Sequence, residues 1–231
     1  MTQITWLGHS MFEFGFESGE VLILDPWIEE NPAYPKGYKI KRVDAIALSH
    51  AHFDHSDDAI PLAKKFKPKV LAIFETAAWL EKKGVKNTIP MNKGGTVDLG
   101  FVKLTMTHAL HSSAIKDGDD LLYGGEAAGY VLTEKSGRAA YFAGDTALFS
   151  DMVLIRELYH PELALLPIGD HFTMDPFQAC HAARFIKPKR VIPMHYGTFP
   201  TLTGRPEDLA RRLSEDDIEV WTLKQGQTVE W

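Results

Sequence analysis

The sequence predicts an α/β protein in which helices cover buried sheets. Short apolar runs recur between turn residues, helix-length stretches follow several of them, and the last third alternates helix and strand regularly. The chain has 231 residues and is 45% hydrophobic, enough for a substantial core in one large domain or two small ones. No linker is long enough to divide it, so one domain over residues 1–231 is expected.

Taken in order, residues 4–7, 11–16 and 21–24 read as strands separated by glycine-containing turns. Asp25-Pro26 ends the third run because proline cannot continue a ladder. Residues 31–37 are a loop rich in turn residues, and 44–48 (DAIAL) is a short apolar strand leading into a cluster of histidines. Helices are expected over 57–66 and 76–83, flanking a buried strand at 70–74. Residues 101–107 alternate as a half-buried strand, 117–125 read as a mobile loop, and 129–133 and 139–143 as a pair joined by a Lys-Ser-Gly turn. Then come a helix at 148–159, a strand at 163–167, a helix at 176–186, a strand at 191–194, a helix at 206–213 and a last strand at 219–223.

Two segments echo each other: AKKFKPKVLAIF (63–74) and ARFIKPKRVIPM (183–194) both read helix, Lys-Pro-Lys, strand. Either the chain is internally duplicated, or helix-stop chemistry alone repeats, since proline ends a helix and lysines suit its negative end.

Composition removes several functions. Lys+Arg of 25 against Asp+Glu of 31 gives a charge of −6, the wrong balance for a protein that grips phosphate backbones. The exposed-looking lysines at 64, 65, 67 and 69 read as a solvated helix end. One cysteine, Cys180, excludes an internal disulfide framework and a cysteine-built zinc finger, and reads as a small buried residue. No apolar run approaches the ~20 residues that span a bilayer, and MTQITWLGHS lacks the features of a secretory signal, so a cytoplasmic location is the expectation. Gly94-Gly95 and Gly124-Gly125 lack nucleotide-cradle spacing, and no GxSxG elbow offers a serine nucleophile.

The chemistry concentrates in SHAHFDH, where His50, His52, Asp54 and His55 fall within six residues after an apolar strand. On an extended backbone His50 and His52 face one side, while Asp54 and His55 follow where a turn would leave the strand. Imidazole and carboxylate without thiolate are ligands for zinc, iron or manganese. Several later candidates sit just past strands: His111, Asp145 after AAYFAG, and His195 after VIPM. THALH offers both His108 and His111, and spacing alone does not choose between them. Asp25 is either an outer partner that orients a ligating imidazole or a strand-end turn residue. His9 either lines the pocket or packs beside Trp6; Asp170 and His171 are further candidates, and Asp175 caps a helix.

HAHFDH matches the H-x-H-x-D-H signature of metallo-β-lactamase-fold hydrolases. With WLGHS, HSS (111–113), AGDT (143–146) and PMHYGTFP (193–200), the whole chain resembles the UPF0173 family of metal-dependent hydrolases, and more distantly ascorbate-phosphate lactonase. The resemblance implies a four-layer αββα sandwich and a dinuclear site. It assigns His50, His52 and His111 to one metal and Asp54, His55 and His195 to the other, with Asp145 bridging. It also selects His111 over His108, because the ligand precedes Ser112-Ser113. Around Met174-Asp175-Pro176 the chain departs from the family's Met-Gly-Pro-like step without touching a proposed ligand. Two divalent ions, zinc foremost and manganese or iron as alternatives, would acidify a shared water and polarise the bond attacked. Asp54 would be the catalytic acid and base. The expected reaction is hydrolysis of a small-molecule ester or lactone, with phosphodiester cleavage the alternative and a non-hydrolytic metal-binding or di-iron redox protein the reading from another class. Neither a nucleic acid nor a membrane is expected as a partner; a homo-oligomer remains open.

Overall fold

Each apolar run bounded by turn residues becomes a strand, and each amphipathic stretch behind it a helix. The computed structural model describes all 231 residues. In chain order the first elements are β1 (Gln3–Trp6), β2 (Phe12–Gly15), β3 (Val21–Leu24), β4 (Ala45–Ala47), α1 (Phe53–Ser56), α2 (Ala59–Phe66), β5 (Lys69–Ile73), α3 (Phe74–Lys82) and β6 (Thr88–Met91). The middle of the chain forms β7 (Thr96–Asp98), β8 (Val102–His108), β9 (Ala114–Asp117), β10 (Asp120–Tyr123), β11 (Ala128–Glu134) and β12 (Ala139–Phe142). Then follow α4 (Met152–Tyr159), β13 (Leu163–Pro167), α5 (Pro176–Ile186), β14 (Arg190–Met194), α6 (Pro206–Arg212), β15 (Glu219–Val220) and β16 (Thr228–Glu230). No helix is long and apolar enough to cross a membrane.

The chain forms two compact units: Met1–Asn92 with Ser112–Ala127 and Lys224–Trp231, and Lys93–His111 with Ala128–Leu223. In the first unit a seven-stranded sheet runs β16-β1-β2-β3-β4-β5-β6. Its pairs are antiparallel from β16 to β3 and parallel from β3 to β6. Strand β16 closes the edge beside β1, and backbone bonds between Thr2 and Trp231 extend the pairing. Ile23, Ile46, Val70 and Ala72 pack on Ala59, Leu62 and Ala63 of α2 and on Ala77 and Leu80 of α3.

In the second unit the sheet runs β7-β8-β11-β12-β13-β14-β15, antiparallel from β7 to β12 and parallel from β12 to β15. Val131, Tyr141, Ala164, Leu166 and Val191 pack on Met152 and Ile155 of α4, Ala179 to Ile186 of α5 and Leu209 of α6. Strands such as Leu163–Pro167 are buried at every position, which is why they read as unbroken apolar runs. Asp175 caps α5 as expected, its carboxylate accepting from the Gln178 amide at 2.7 Å.

Both sheets therefore follow one pattern, three antiparallel pairs and then three parallel ones. The echoed segments occupy equivalent places in it, α2 to β5 and α5 to β14. Lys67 (φ 56°) and Lys187 (φ 51°) end their helices in the left-handed conformation, and each donates its amide to an alanine carbonyl, Ala63 or Ala183. Helix-stop chemistry explains the local caps but not the shared strand order, which favours duplication.

Several expectations need correction. Residues 117–125 are not a loop: β9 and β10 form a two-stranded hairpin. The expected helix at 57–66 begins only at Ala59, preceded by the single turn of α1, and the last strand of the second unit is only Glu219–Val220. Strands β6, β7 and β16 were not foreseen. They are sheet-edge strands of three or four residues, too short and too exposed to carry a periodic signal.

Candidate metal centre

In the first unit, parallel pairing of β3 with β4 brings two strand ends together, Leu24 opposite Ala47. Asp25 follows β3 with φ 45°, a left-handed backbone that Asp tolerates better than most residues, and Ser49-His50 follow β4. β4 ends at Ala47, so His50 and His52 follow it in the irregular segment that leads into α1, where His52, the N-cap, keeps an extended backbone (φ −63°, ψ 150°). They converge nevertheless, with His50 Nε2 2.9 Å from His52 Nδ1. The first turn of α1 then carries Asp54 and His55.

A buried carboxylate organises this group. The His55 Nδ1–H donates to Asp25 Oδ2 at 2.7 Å, the Ser49 hydroxyl donates to the same oxygen at 2.5 Å, and the Ser49 amide donates to Oδ1 at 2.7 Å. Ser49 Oγ in turn lies 2.9 Å from His50 Nδ1, placed to accept its proton. One carboxylate thus orients His55 directly and His50 through Ser49, leaving Nε2 of each as the nitrogen that could take a metal. Burial pushes the Asp25 carboxyl above the usual carboxylate range, and the His55 imidazole opposes the shift. Ligand atoms of Asp25, His50 and His55 all lie within 4.8 Å of one another. Asp25 is therefore the orienting partner and not only a turn residue. Ser49 was missed, because its role becomes visible only once Asp25 is known to lie beside it.

In the second unit three strand ends deliver the remaining candidates: His111 after β8, Asp145 after β12, and His195 after β14 with φ 56°. Asp145 Oδ2 lies 3.0 Å from His195 Nε2 and 3.7 Å from His111 Nε2. Gly169, past the end of β13, makes room for this turn: a Cβ there would lie 2.0 Å from the His195 carbonyl oxygen. The sequence alone gave no sign of that need. His108 is exposed at the end of β8, within 3.0 Å of Lys93 Nζ and edge-on to Phe149, so it is neither buried nor beside these donors. Asp170 and His171 are exposed as well, the Asp170 carboxylate accepting the His171 amide in a tight turn.

The seven candidates therefore fall into two groups, His50, His52, Asp54 and His55 in one unit and His111, Asp145 and His195 in the other. His50, His55, Asp145 and His195 are at most 2% exposed. Each group sets buried imidazole nitrogens near a carboxylate, a donor chemistry that suits zinc, manganese or iron.

Comparison with known proteins fits this donor set. A beta-lactamase superfamily domain profile matches residues 21–196. A UPF0173 metal-dependent hydrolase of Solibacter usitatus is 60% identical over 229 residues, covering 99% of this chain and 100% of that protein. The chain belongs to the UPF0173 metal-dependent hydrolase family. Another UPF0173 member, from Koribacter versatilis, is 51% identical over 98% of this chain and 97% of its own. Among solved structures, Igni18, a metallo hydrolase from the archaeon Ignicoccus hospitalis, superposes with a TM-score of 0.87 at 34% identity, covering 99% of this UPF0173 chain and 97% of its own. The fold is thus of the metallo-β-lactamase type, as the HAHFDH resemblance implied.

Proposed function

We propose that this chain hydrolyses a small-molecule ester or lactone with two divalent cations, zinc foremost, and that residues 1–231 act as one catalytic domain. The carrying observation is Asp145: a single carboxylate oxygen faces the Nε2 atoms of both His111 and His195, which the family resemblance assigns to different metals. Asp145 would then be the carboxylate that serves both cations. In this reading, which follows the family resemblance, His50, His52 and His111 would hold one cation, and Asp54, His55 and His195 the other.

When bound, such a pair supplies an acidified water and polarises the bond under attack. The chain's own residues do the rest. The Asp25–Ser49 pair keeps His50 and His55 in the tautomer that presents Nε2. Asp54, 12% exposed and so within reach of solvent, takes the proton of the attacking water and returns it to the leaving oxygen. The charge of −6 favours a small substrate over a nucleic acid.

The test is metal analysis of the purified protein together with a screen of lactones, carboxylic esters and phosphodiesters. Expected is hydrolysis of lactones or esters that a chelator abolishes and zinc restores, with two ions per chain. Turnover confined to phosphodiesters would overturn the substrate assignment. One ion per chain at saturation would overturn the paired site.

A further inference from the structure

His9 is not in the ligand set that the family resemblance assigns, yet it is wholly buried, and its Nε2 lies 3.1 Å from Asp54 Oδ2. The same oxygen lies 3.9 Å from His55 Nε2, on the side where that imidazole would offer a metal its nitrogen. We propose that His9 is a positioning residue whose Nε2–H donates to Asp54 Oδ2 and locks the carboxylate in the orientation its metal and proton-transfer duties need. This rests on the reading of Asp54 as a metal ligand and proton carrier.

The local chain is built around that bond. Leu7 to Met11 form a tight turn, with the Met11 amide donating to the Gly8 carbonyl and the Leu7 amide to the Met11 carbonyl. Gly8 has φ +89°, and a Cβ there would lie 2.4 Å from the Ala33 carbonyl oxygen, so only glycine fits. His9 itself has φ 54°, a conformation that costs a residue with a Cβ about 1–2 kcal/mol. The Trp6 indole donates to the His9 carbonyl at 3.0 Å and anchors the backbone. The imidazole meets Trp27 edge-on at 5.1 Å and His55 at 5.5 Å, which fixes the ring plane. A side chain needed only to fill space would require neither the strained backbone nor a polar edge aimed at a carboxylate. Ligating carboxylates commonly carry such an outer hydrogen bond, and losing it typically lowers metal affinity 10–100-fold.

The experiment uses the full chain with His9→Phe, which keeps the ring but removes the donor, and His9→Gln, whose amide restores an N–H near the same place. Zinc affinity is measured by chelator competition. The His9 ring proton is followed by nitrogen-15 NMR in the metal-free wild type and in Asp54→Ala. Expected are an affinity about 10–100-fold weaker in His9→Phe, recovery to within about threefold in His9→Gln, and a slowly exchanging Nε2–H in the wild type that disappears in Asp54→Ala. Wild-type affinity in His9→Phe would overturn the proposal, as would an Nε2–H indifferent to Asp54. Loss of one whole ion in both His9 variants would make His9 a direct ligand instead. A wild-type protein that binds no divalent ion would sink the metal reading itself, and this proposal with it; that outcome is read before any variant is made. If His9→Phe does not fold, the two NMR spectra still decide.

Discussion

Replacing Asp25 by Asn tests the orienting network with almost no change in volume, and Asn also tolerates the left-handed backbone at this position. The carboxylate accepts three hydrogen bonds, from the His55 ring, the Ser49 hydroxyl and the Ser49 amide. The amide oxygen of Asn can keep the Ser49 amide, but its nitrogen presents protons where His55 Nδ1 and Ser49 Oγ present theirs. Ser49 can rotate to accept; His55 cannot without giving up its tautomer. One charge-assisted bond is worth about 1.5–3 kcal/mol, and relief of the buried charge returns part of this. A net loss of about 1–2 kcal/mol is expected in urea unfolding of the metal-free protein. The larger effect falls on metal binding, because a His55 free to change tautomer no longer presents Nε2 alone: about 10–100-fold in zinc affinity, or about 1.4–2.7 kcal/mol. Chelator competition at fixed pH measures it. A variant that binds zinc within threefold of the wild type would refute the claim that Asp25 orients the ligands.

Asp145→Asn should reduce zinc below two ions per chain by elemental analysis and cut turnover by about 100-fold or more, since an amide is a poor bridging ligand. Gly169→Ala places a Cβ 2.0 Å from the His195 carbonyl; it should cost about 1–3 kcal/mol in urea unfolding and weaken metal binding as His195 shifts. Burial raises the Glu13 carboxyl above its usual value of 4.5, more than the hydrogen bond from Tyr38 and the charge of Lys41 lower it. The folded state therefore holds that proton longer than the unfolded chain, so this contribution is present below pH 4.5 and lost as pH rises through the folded value. Glu13→Gln should flatten that part of the stability profile, measured by urea midpoints across the acid range, and an unchanged slope would refute it.

What the sequence made legible depended on how local the cause was. Leu163–Pro167 and Pro176–Ile186 could be read to the residue because burial of every strand position, and an Asp-Pro cap, leave their mark on adjacent letters. The SHAHFDH cluster was legible for the same reason: four donors share one short segment. Its geometry was legible only in part: His50 and His52 converge as expected, but in the segment after β4 and not on a strand. Ser49 and Gly169 escaped because their reasons lie far along the chain, at Asp25 and at His195. His108 and His111 could be separated only by family pattern. The 117–125 segment misled because acids and glycines suit a hairpin tip as well as a loop.

The pairing of β1 with β16 sets an order of events during synthesis. All of the second unit precedes Thr228 in the chain, so until the last few residues are added the opening strand keeps one bare edge. Bare edges invite pairing with other chains. Premature termination shortly before Thr228 should therefore yield a protein whose second half is native and whose first half aggregates, although every donor residue has already been made.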